Sequence, residues 1–128
     1  MRRIFLDTNF IIKCIEWKID LIGELRRICD FAYEIVLLDR VMDELAEFAA
    51  QGGKKKETVN VALLVLNKNG AKNVASGETG LVDDILVKIA TKNDAVATQD
   101  QALKRRLKEK GVPVIIIREK GYLEFVGR

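Results

Sequence analysis

Short apolar segments alternate along the chain with longer segments in which apolar residues recur every three or four positions. The short segments predict six strands, at 4–7, 34–38, 71–75, 95–98, 114–117 and 122–125, of which the last has the weakest pattern. The longer segments predict six helices, at 8–17, 20–29, 40–50, 54–67, 81–92 and 100–110. Dipeptides such as Gly52-Gly53 and Asn69-Gly70 separate several of these elements.

Strands that alternate with helices are typical of βαβ units, in which neighbouring strands run parallel. The segment 114–117 contains only valine and isoleucine, which indicates a strand that is buried on both faces. The chain of 128 residues is long enough for one core, and no linker or repeat divides it. We therefore predict a single α/β domain over residues 1–128, with three layers and a mostly parallel sheet between helices.

Composition narrows the chemistry that this domain can perform. Charged residues make up 32% of the chain, the net charge is +3, and histidine is absent. Histidine general bases, Ser-His triads and histidine metal ligands are therefore excluded. Any chemistry has to come from carboxylates, hydroxyls, lysines or metal ions held by oxygen atoms.

The two cysteines, Cys14 and Cys29, have neither the spacing of a metal site nor that of a redox motif. Both lie in predicted helices, so we expect free thiols and a cytoplasmic location. No apolar stretch approaches the roughly 20 residues of a membrane span, and the first residues lack the pattern of a signal peptide. We therefore expect no association with a membrane.

Acidic residues follow each of the first four predicted strands, at the edge where open parallel sheets bind their ligands. Asp7 ends the first strand and Asp100 follows the fourth, while the helices after the second and third strands carry Glu44 and Asp83. Four carboxylates at one edge repel one another unless a cation lies between them. Because oxygen ligands suit Mg²⁺ or Mn²⁺, the pattern predicts a metal site, and paired ions of this kind support phosphodiester hydrolysis.

Helical periodicity separates the acids of the two acidic helices. At about 100° per residue, Glu44 and Asp83 border the apolar stripes of their helices, whereas Glu47 and Asp84 point further out. Taken singly, an acid that follows a strand is also a typical helix N-cap, and an acid on a helix is an ordinary surface residue. Both explanations stay open at the level of single residues.

Four segments of the sequence together resemble the PIN-domain family of metal-dependent ribonucleases. They are IFLDTNFII at 4–12, VMDEL at 41–45, VDDILVKIA at 82–90 and VATQDQALKRRLKEKGVPVIIIR at 96–118. The resemblance covers nearly the whole chain, and the last segment is its most specific part. It implies a parallel five-stranded sheet between helices and a carboxylate site for Mg²⁺ or Mn²⁺.

The resemblance also implies roles for single residues. The catalytic metal ligands of the family map onto Asp7, Glu44, Asp83 and Asp100. The polar positions that line the same site and meet the substrate map onto Thr8, Asn9 and Thr98. Family members normally have Asn just before the last acid, where this chain has Gln99, a departure that affects one minor polar contact.

Basic residues cluster in two segments, KRRLKEK at 104–110 and KKK at 54–56. In the first segment, Lys104, Arg105 and Lys108 share one helix face, which predicts contacts with an RNA backbone. A solvated helix face is the alternative explanation for both clusters. Aromatic residues make up 6% of the chain, so few platforms for stacking bases are predicted.

The leading hypothesis is a Mg²⁺- or Mn²⁺-dependent endoribonuclease that cuts RNA by in-line attack of an activated water. The alternative is a catalytically weak PIN scaffold that binds RNA or protein in an assembly, such as one for ribosome processing. A third hypothesis, a phosphoryl-accepting receiver domain, lacks an acid pair after the first strand and an acceptor Asp after the third.

The resemblance extends to two branches of the family and to their partners. The segments at 82–90 and 111–118 look closest to archaeal proteins similar to ribosomal-RNA-processing PIN nucleases. The VapC-like toxin branch shares the acids but usually differs after the fourth strand. The partners that follow from the two branches are RNA together with an antitoxin or a ribosome-assembly protein, and a homodimer is also open.

Overall fold

A computed structural model describes residues 1–127. Within them, a six-stranded sheet has the order β3-β2-β1-β4-β5-β6. The strands are β1 (Arg2–Leu6), β2 (Tyr33–Leu38), β3 (Lys72–Val74), β4 (Ala95–Ala97), β5 (Val114–Arg118) and β6 (Tyr122–Val126). The first five strands run parallel, and β6 pairs with β5 antiparallel.

Six helices cover the sheet: α1 (Thr8–Glu16), α2 (Leu21–Ile28), α3 (Asp39–Ala49), α4 (Gly53–Lys68), α5 (Val82–Ile89) and α6 (Gln101–Lys110). The chain moves from β1 to β3 toward one edge and then through β4 and β5 toward the other. Because connections between parallel strands are right-handed, α1 to α4 cover one face and α5 and α6 cover the opposite face. This confirms the predicted three-layer α/β class.

The core follows from the apolar strands at the centre of the sheet. Each residue of β4 is at most 3% exposed, and the valine and isoleucine residues of β5 are at most 6% exposed. Strands covered on both faces have no polar side, which explains the uninterrupted apolar run in the sequence. Within residues 1–127, no helix is long and apolar enough to cross a membrane.

The sheet has one strand more than the five-stranded sheet that the family resemblance implies, because the weakly patterned sixth segment forms β6, an edge strand beside β5. The backbone groups of Leu123, in this strand, have side-chain partners from α2. The Leu123 N–H donates to Glu24 Oε1 at 2.9 Å, and Arg27 donates to the Leu123 carbonyl at 2.6 Å. These two bonds hold the weakly patterned segment against α2 and cover part of the sheet edge.

Helix α5 ends at Ile89, three residues before the predicted end of that segment. A buried carboxylate stops it: Asp94 Oδ2 accepts from the Thr91 N–H at 2.9 Å and from the Thr91 hydroxyl at 3.0 Å. The same carboxylate pairs with Arg3 at 2.9 Å. These local bonds offer the backbone an alternative to the helix, which periodicity alone does not reveal.

The tight turn between β5 and β6 holds two residues in the left-handed region. Glu119 has φ of 51° and Lys120 has φ of 53°, and the Gly121 N–H donates to the Arg118 carbonyl at 2.9 Å. Such a turn favours Asn and Gly at its two central positions, because other side chains cost on the order of 1 kcal/mol there.

We expect Glu119→Asn to stabilise the protein, since Asn tolerates this conformation better than Glu does. The melting temperature should rise by about 2–4 °C in thermal unfolding. Glu109→Asn, which removes an exposed carboxylate from α6 instead, is the control and should produce no gain, because Asn is a weaker helix former. Equal shifts in the two variants would mean that the turn is not strained.

Candidate active site

An open cavity of about 370 Å³ lies at the carboxyl edge of the sheet. The residues that line it come from four separate parts of the chain: Asp7, Thr8, Asn9, Ile12, Glu44, Glu47, Phe48, Gln51, Asp83 and Asp100. All four acids that the sequence singles out are among them. The parallel strands bring these segments together, because each strand ends at the same edge.

Asp7 lies where β1 ends and α1 begins, and its side chain is only 6% exposed. One carboxylate oxygen accepts from the Thr8 N–H at 2.9 Å, and the other accepts from the Thr98 hydroxyl at 2.8 Å. Asp7 is therefore the N-cap of α1 as well as part of the cavity wall. The sequence left open whether Asp7 is a helix N-cap or an acid of the site, and in the structure Asp7 takes both positions.

Asp100 combines the same two positions at the start of α6. Its side chain accepts from the Leu103 N–H at 2.8 Å as an N-cap, and its own N–H donates to the Thr98 hydroxyl oxygen at 3.1 Å. The Thr98 hydroxyl thus connects Asp7 with the backbone of Asp100. Thr98 is 0% exposed, and its hydroxyl holds the carboxylate of Asp7 in place.

Glu44 enters the cavity from α3 and accepts a hydrogen bond from the Thr8 hydroxyl. Thr8 is itself buried, so its hydroxyl is directed to Glu44 and not to open solvent. Asn9, one residue further on, is exposed at the cavity wall. Of the three polar residues expected to meet a substrate, Asn9 is the one whose side chain faces solvent.

The two adjacent acids of α5 point in different directions, as their helical positions predict. Asp83 lines the cavity, whereas Asp84 is 60% exposed and pairs with Arg106 of α6 at 2.9 Å. The substitution of either acid by Asn removes one charge from the same helical turn. The pair therefore offers a matched comparison between a cavity acid and a surface acid.

Sequence reasoning missed part of the cavity wall on α3 and the turn after it. Glu47 lines the cavity although its helical position suggested that it points further out, and Phe48 and Gln51 lie beside it. Glu44, Glu47 and Gln51 are spaced three and four apart, so they share one helix face. That spacing could have indicated a polar wall of the cavity. The apolar stripe of α3 alone does not reveal it, because the cavity extends beyond that stripe to Glu47 and Gln51.

Burial and mutual repulsion change the acidity of two of these carboxylates. Burial raises the pKa of Asp7 to about 6, and the charges of Asp83 and Glu44 add to the effect, against the hydrogen bonds from Thr98 and Thr8. Burial also raises the pKa of Asp83, with a further contribution from the charge of Asp100. The carboxylates therefore act on one another electrostatically, which indicates one shared site.

The donor chemistry of the cavity fits a hard divalent cation, since carboxylate oxygens are the ligands that such ions prefer. As the side chains lie, no three acidic or thiol groups of residues 1–127 are close enough together to hold one ion. Asp7 and Glu44 are engaged with Thr8 and Thr98. Binding an ion would thus require rotation of some of the carboxylates toward a common point.

Two predicted features of the sequence lie outside the cavity. Lys104, Arg105 and Lys108 line a separate groove between α6 and the strands β5 and β6, called the α6 groove below. Gln99 points to β5, where its Oε1 accepts from the Ile117 N–H at 2.7 Å. Gln99 therefore bonds to the backbone of β5 and is not among the residues that line the cavity.

A mostly parallel α/β sheet with an acidic cavity at its carboxyl edge defines the general class of this protein. The model of the PIN like domain family matches residues 4–120, and the chain belongs to this family. The family that the sequence segments resemble is thereby confirmed.

Similarity to named proteins extends over nearly the full chain. The chain is 32% identical over 132 residues to Ribonuclease VapC4 of Methanocaldococcus jannaschii, an alignment that covers 99% of this chain and 98% of that protein. The structure of the PIN domain endonuclease Utp24 superimposes with a TM-score of 0.81 and 25% identity, covering 98% of this chain and 92% of that one. VapBC2 from Rickettsia felis, solved with a DNA fragment from its promoter, shares the fold with a TM-score of 0.57 at 15% identity, covering 80% of this chain and 92% of that one.

The raised pKa of Asp7 makes folding stability depend on pH. The folded protein holds this proton more tightly than the unfolded chain does, so the contribution of Asp7 is most favourable at acidic pH and is lost as the pH rises through about 6. In EDTA at pH 7, Asp7→Asn should therefore unfold at a higher temperature than wild type, by a difference worth about 1–3 kcal/mol.

The gain should shrink steadily between pH 7 and pH 4, because Asp7 becomes neutral in the folded protein over that range. Thermal unfolding across this pH series measures it, with Asp84→Asn as the control that removes an exposed charge. A gain that does not vary with pH would contradict the raised pKa of Asp7.

Proposed function

We propose that this protein is a metal-dependent endoribonuclease that hydrolyses phosphodiester bonds of RNA at the carboxylate cavity. One observation carries the proposal: four acids from four segments of the chain line a single cavity, and burial and repulsion raise the pKa of two of them. Repulsion among acids in one cavity lowers the stability of the folded protein. A cationic ligand that binds between them is the simplest reason for their convergence. The relatives named a ribonuclease and an endonuclease support the same activity.

The ion we propose is Mg²⁺ or Mn²⁺, and the residues that would hold it are Asp7, Glu44, Asp83 and Asp100. Such an ion, when bound, lowers the pKa of a water molecule and stabilises the charge that develops on the leaving oxygen. With no histidine in the sequence, the chain has no imidazole base for this step. The carboxylates are accordingly the groups on which the proposed activity depends.

Several groups of the chain itself would orient the reactants. The Thr98 hydroxyl holds the Asp7 carboxylate, and the Thr8 hydroxyl holds Glu44. Helices α1 and α6 both begin at the cavity, and the carboxylates of Asp7 and Asp100 that cap them are fixed in place by first-turn N–H groups. The exposed amide of Asn9 can donate to a phosphate oxygen. These groups would place a phosphodiester beside the acids.

We further propose that RNA enters over α3 and α4. Phe48 lines the cavity as a half-buried ring, and Lys55 Nζ lies 5.4 Å from the centre of that ring. The Lys55 ammonium also donates to Gln51, another residue of the cavity wall. A base could stack on Phe48 while the neighbouring phosphate contacts Lys55, a combination that binds single strands without reading their sequence.

The role of protein partners is a separate part of the proposed function. An antitoxin is expected if the protein acts as the VapC-named relative suggests, and a ribosome-assembly protein if it acts in ribosomal RNA processing. Self-association into a homodimer is proposed alongside these. Copurification with each class of partner and measurement of the mass in solution distinguish the three.

Cleavage of labelled RNA in the presence of Mn²⁺ tests the activity. Asp7→Asn and Asp100→Asn should each reduce the rate by about 100-fold or more, because each removes a charge from the shared site. Asp83→Asn should do much more harm than Asp84→Asn, since only Asp83 lines the cavity. EDTA should abolish cleavage by the wild-type protein.

Two results would contradict this assignment. Equal losses in Asp83→Asn and Asp84→Asn would mean that the position of these acids relative to the cavity does not matter for activity. Binding of RNA without cleavage, at any concentration of Mg²⁺ or Mn²⁺, would favour the alternative function as an RNA-binding scaffold.

Metal binding also has a consequence for stability that does not require turnover. A ligand that binds only the folded protein raises its melting temperature by mass action, so Mn²⁺ should stabilise the wild type. In EDTA, Asp83→Asn should melt about 2–4 °C above wild type, because it removes a charge that burial and then repulsion from Asp100 and Glu44 disfavour. The same substitution should reduce the additional rise that Mn²⁺ produces, whereas Asp84→Asn should preserve it.

A wild-type protein with no Mn²⁺-dependent shift, together with an Asp83→Asn variant that is no more stable in EDTA, would contradict a shared metal site. Scanning calorimetry of the three proteins at pH 7, with and without Mn²⁺, provides the measurement.

A further inference from the structure

Helix α4 has apolar residues on two opposite sides. Its inner side packs against α1 and α3. The buried residues on that side are Thr58, Val59, Ala62 and Leu66. On the outer side, Val61 is 47% exposed and Leu64 is 69% exposed. A helix at the surface of a protein normally has a polar outer side, so these two side chains leave an apolar surface open to solvent.

Two opposite charges flank this apolar surface along the helix. Glu57 lies four residues before Val61, and Lys68 lies four residues after Leu64. At about 100° per residue, the four side chains fall within roughly 60° of one another, on the side opposite to the buried residues. They form one stripe, called the α4 stripe below, in the order acid, apolar, apolar, base.

The two charges of the α4 stripe are available to a partner. Glu57 and Lys68 are both exposed. Neither residue takes part in the ion pairs found in residues 1–127. Spacings of four, three and four residues along the stripe are those of the seam between two packed helices. The stripe therefore has the form of a helix-packing surface.

The order of the α4 stripe is complementary to its own reverse. When two α4 helices lie antiparallel with Val61 of one opposite Leu64 of the other, each Glu57 lies opposite Lys68 of the other copy. The charges match because each lies four residues, or about 6 Å, beyond the apolar pair. A two-fold axis repeats every contact, so this arrangement gives two apolar contacts and two ion pairs.

We infer that the α4 stripe is the interface of a homodimer in which two copies of this chain pack their α4 helices antiparallel. The exposed amides of Asn60 and Asn67 border the stripe and give the interface a polar rim. The inference gives the homodimer proposed above a definite interface. Its test measures mass in solution, so it does not depend on whether the protein cleaves RNA.

The order of charges favours a second copy over an unrelated partner. An unrelated helix would need an acid and a base in the matching order on either side of two apolar residues, whereas a second copy supplies them. A parallel pair of copies is disfavoured, because it brings Glu57 beside Glu57 and Lys68 beside Lys68. Only the antiparallel pair of copies matches all four charges.

The size of the interface indicates how strong this association is. Helix α4 has 16 residues and is therefore about 24 Å long. A contact along one such helix is smaller than the interface of a stable complex, which usually buries more than about 1,000 Å². We therefore expect a reversible dimer that dissociates on dilution, with a Kd of roughly 10–100 µM.

Sedimentation equilibrium of the full chain over a series of concentrations tests the inference. Glu57→Lys and Lys68→Glu each reverse one charge of the α4 stripe, and Leu64→Glu places a charge at its centre. The matched control for Leu64→Glu is Leu81→Glu, because Leu81 is 70% exposed and lies outside α4. The control for the charge reversals is Lys56→Glu, which changes an exposed residue of α4 away from the stripe.

The wild type should dimerise, and both controls should have a Kd within about twofold of it. Glu57→Lys and Lys68→Glu should each weaken the dimer by about tenfold or more, because each reversal replaces two ion pairs by two repulsive contacts. Leu64→Glu should weaken it at least as much. Thermal unfolding checks that each variant folds, and Leu64→Gln replaces Leu64→Glu if the latter does not.

A mixture of Glu57→Lys with Lys68→Glu is the most specific test. One variant then has lysine at both ends of its stripe and the other has glutamate at both ends, so an antiparallel pair of the two regains both pairs of opposite charges. The mixture should form a heterodimer with a Kd within about threefold of the wild-type dimer, although each variant alone associates weakly.

Three results would overturn the inference. One is a wild type that stays monomeric up to about 500 µM, where the expected dimer would be mostly formed. Another is a dimer that survives the substitution of Leu64 or is weakened equally by Leu81→Glu, which would assign the interface to another surface. The third is a mixture of the two charge variants that associates no better than either alone. None of these results bears on the proposed nuclease site, because no residue of the α4 stripe lines the carboxylate cavity.

Discussion

The hydrogen bonds that Asp7 accepts, from the Thr8 N–H and from the Thr98 hydroxyl, fasten the first strand to the fourth where α1 begins. The same Thr98 hydroxyl receives the N–H of Asp100 at the start of α6. One buried network therefore fixes two helix starts and two carboxylates relative to each other. Buried polar groups of this kind must be fully paired to be tolerated, and within residues 1–127 every buried side-chain nitrogen and oxygen atom has a partner.

This network has a cost that the rest of the fold must offset. Burial of Asp7 near Asp83 and Glu44 disfavours its charged form, as its raised pKa indicates. The burial of apolar strands beneath Asp7 offsets this unfavourable effect on stability. Strand β4 and the first four residues of β5 are almost completely buried. The buried apolar centre of the sheet therefore lies directly beneath the charged carboxyl edge.

The two sides of the sheet differ because of how the chain winds through it. Four helices lie on one face and two on the other, and the edge strand β6 is held by Glu24 and Arg27 of α2 on the well-covered face. On the opposite face, Tyr122 and Val126 of the same strand are each 40% exposed. The carboxylate cavity and the α6 groove are therefore separate surfaces, divided by α6, whose first residue follows Asp100.

Three features can be read from the amino-acid sequence alone: the layered α/β class, the buried valine and isoleucine strand, and the acids that follow parallel strands. These features are local, because the pattern of one segment records which of its faces is buried. Two other features follow only from the packing of distant segments: Thr98 is closed off from solvent, and Glu47 lines the cavity. These features depend on the distances between segments that are far apart in the chain. The packing of helices and strands sets those distances, and the pattern of a single segment does not contain them.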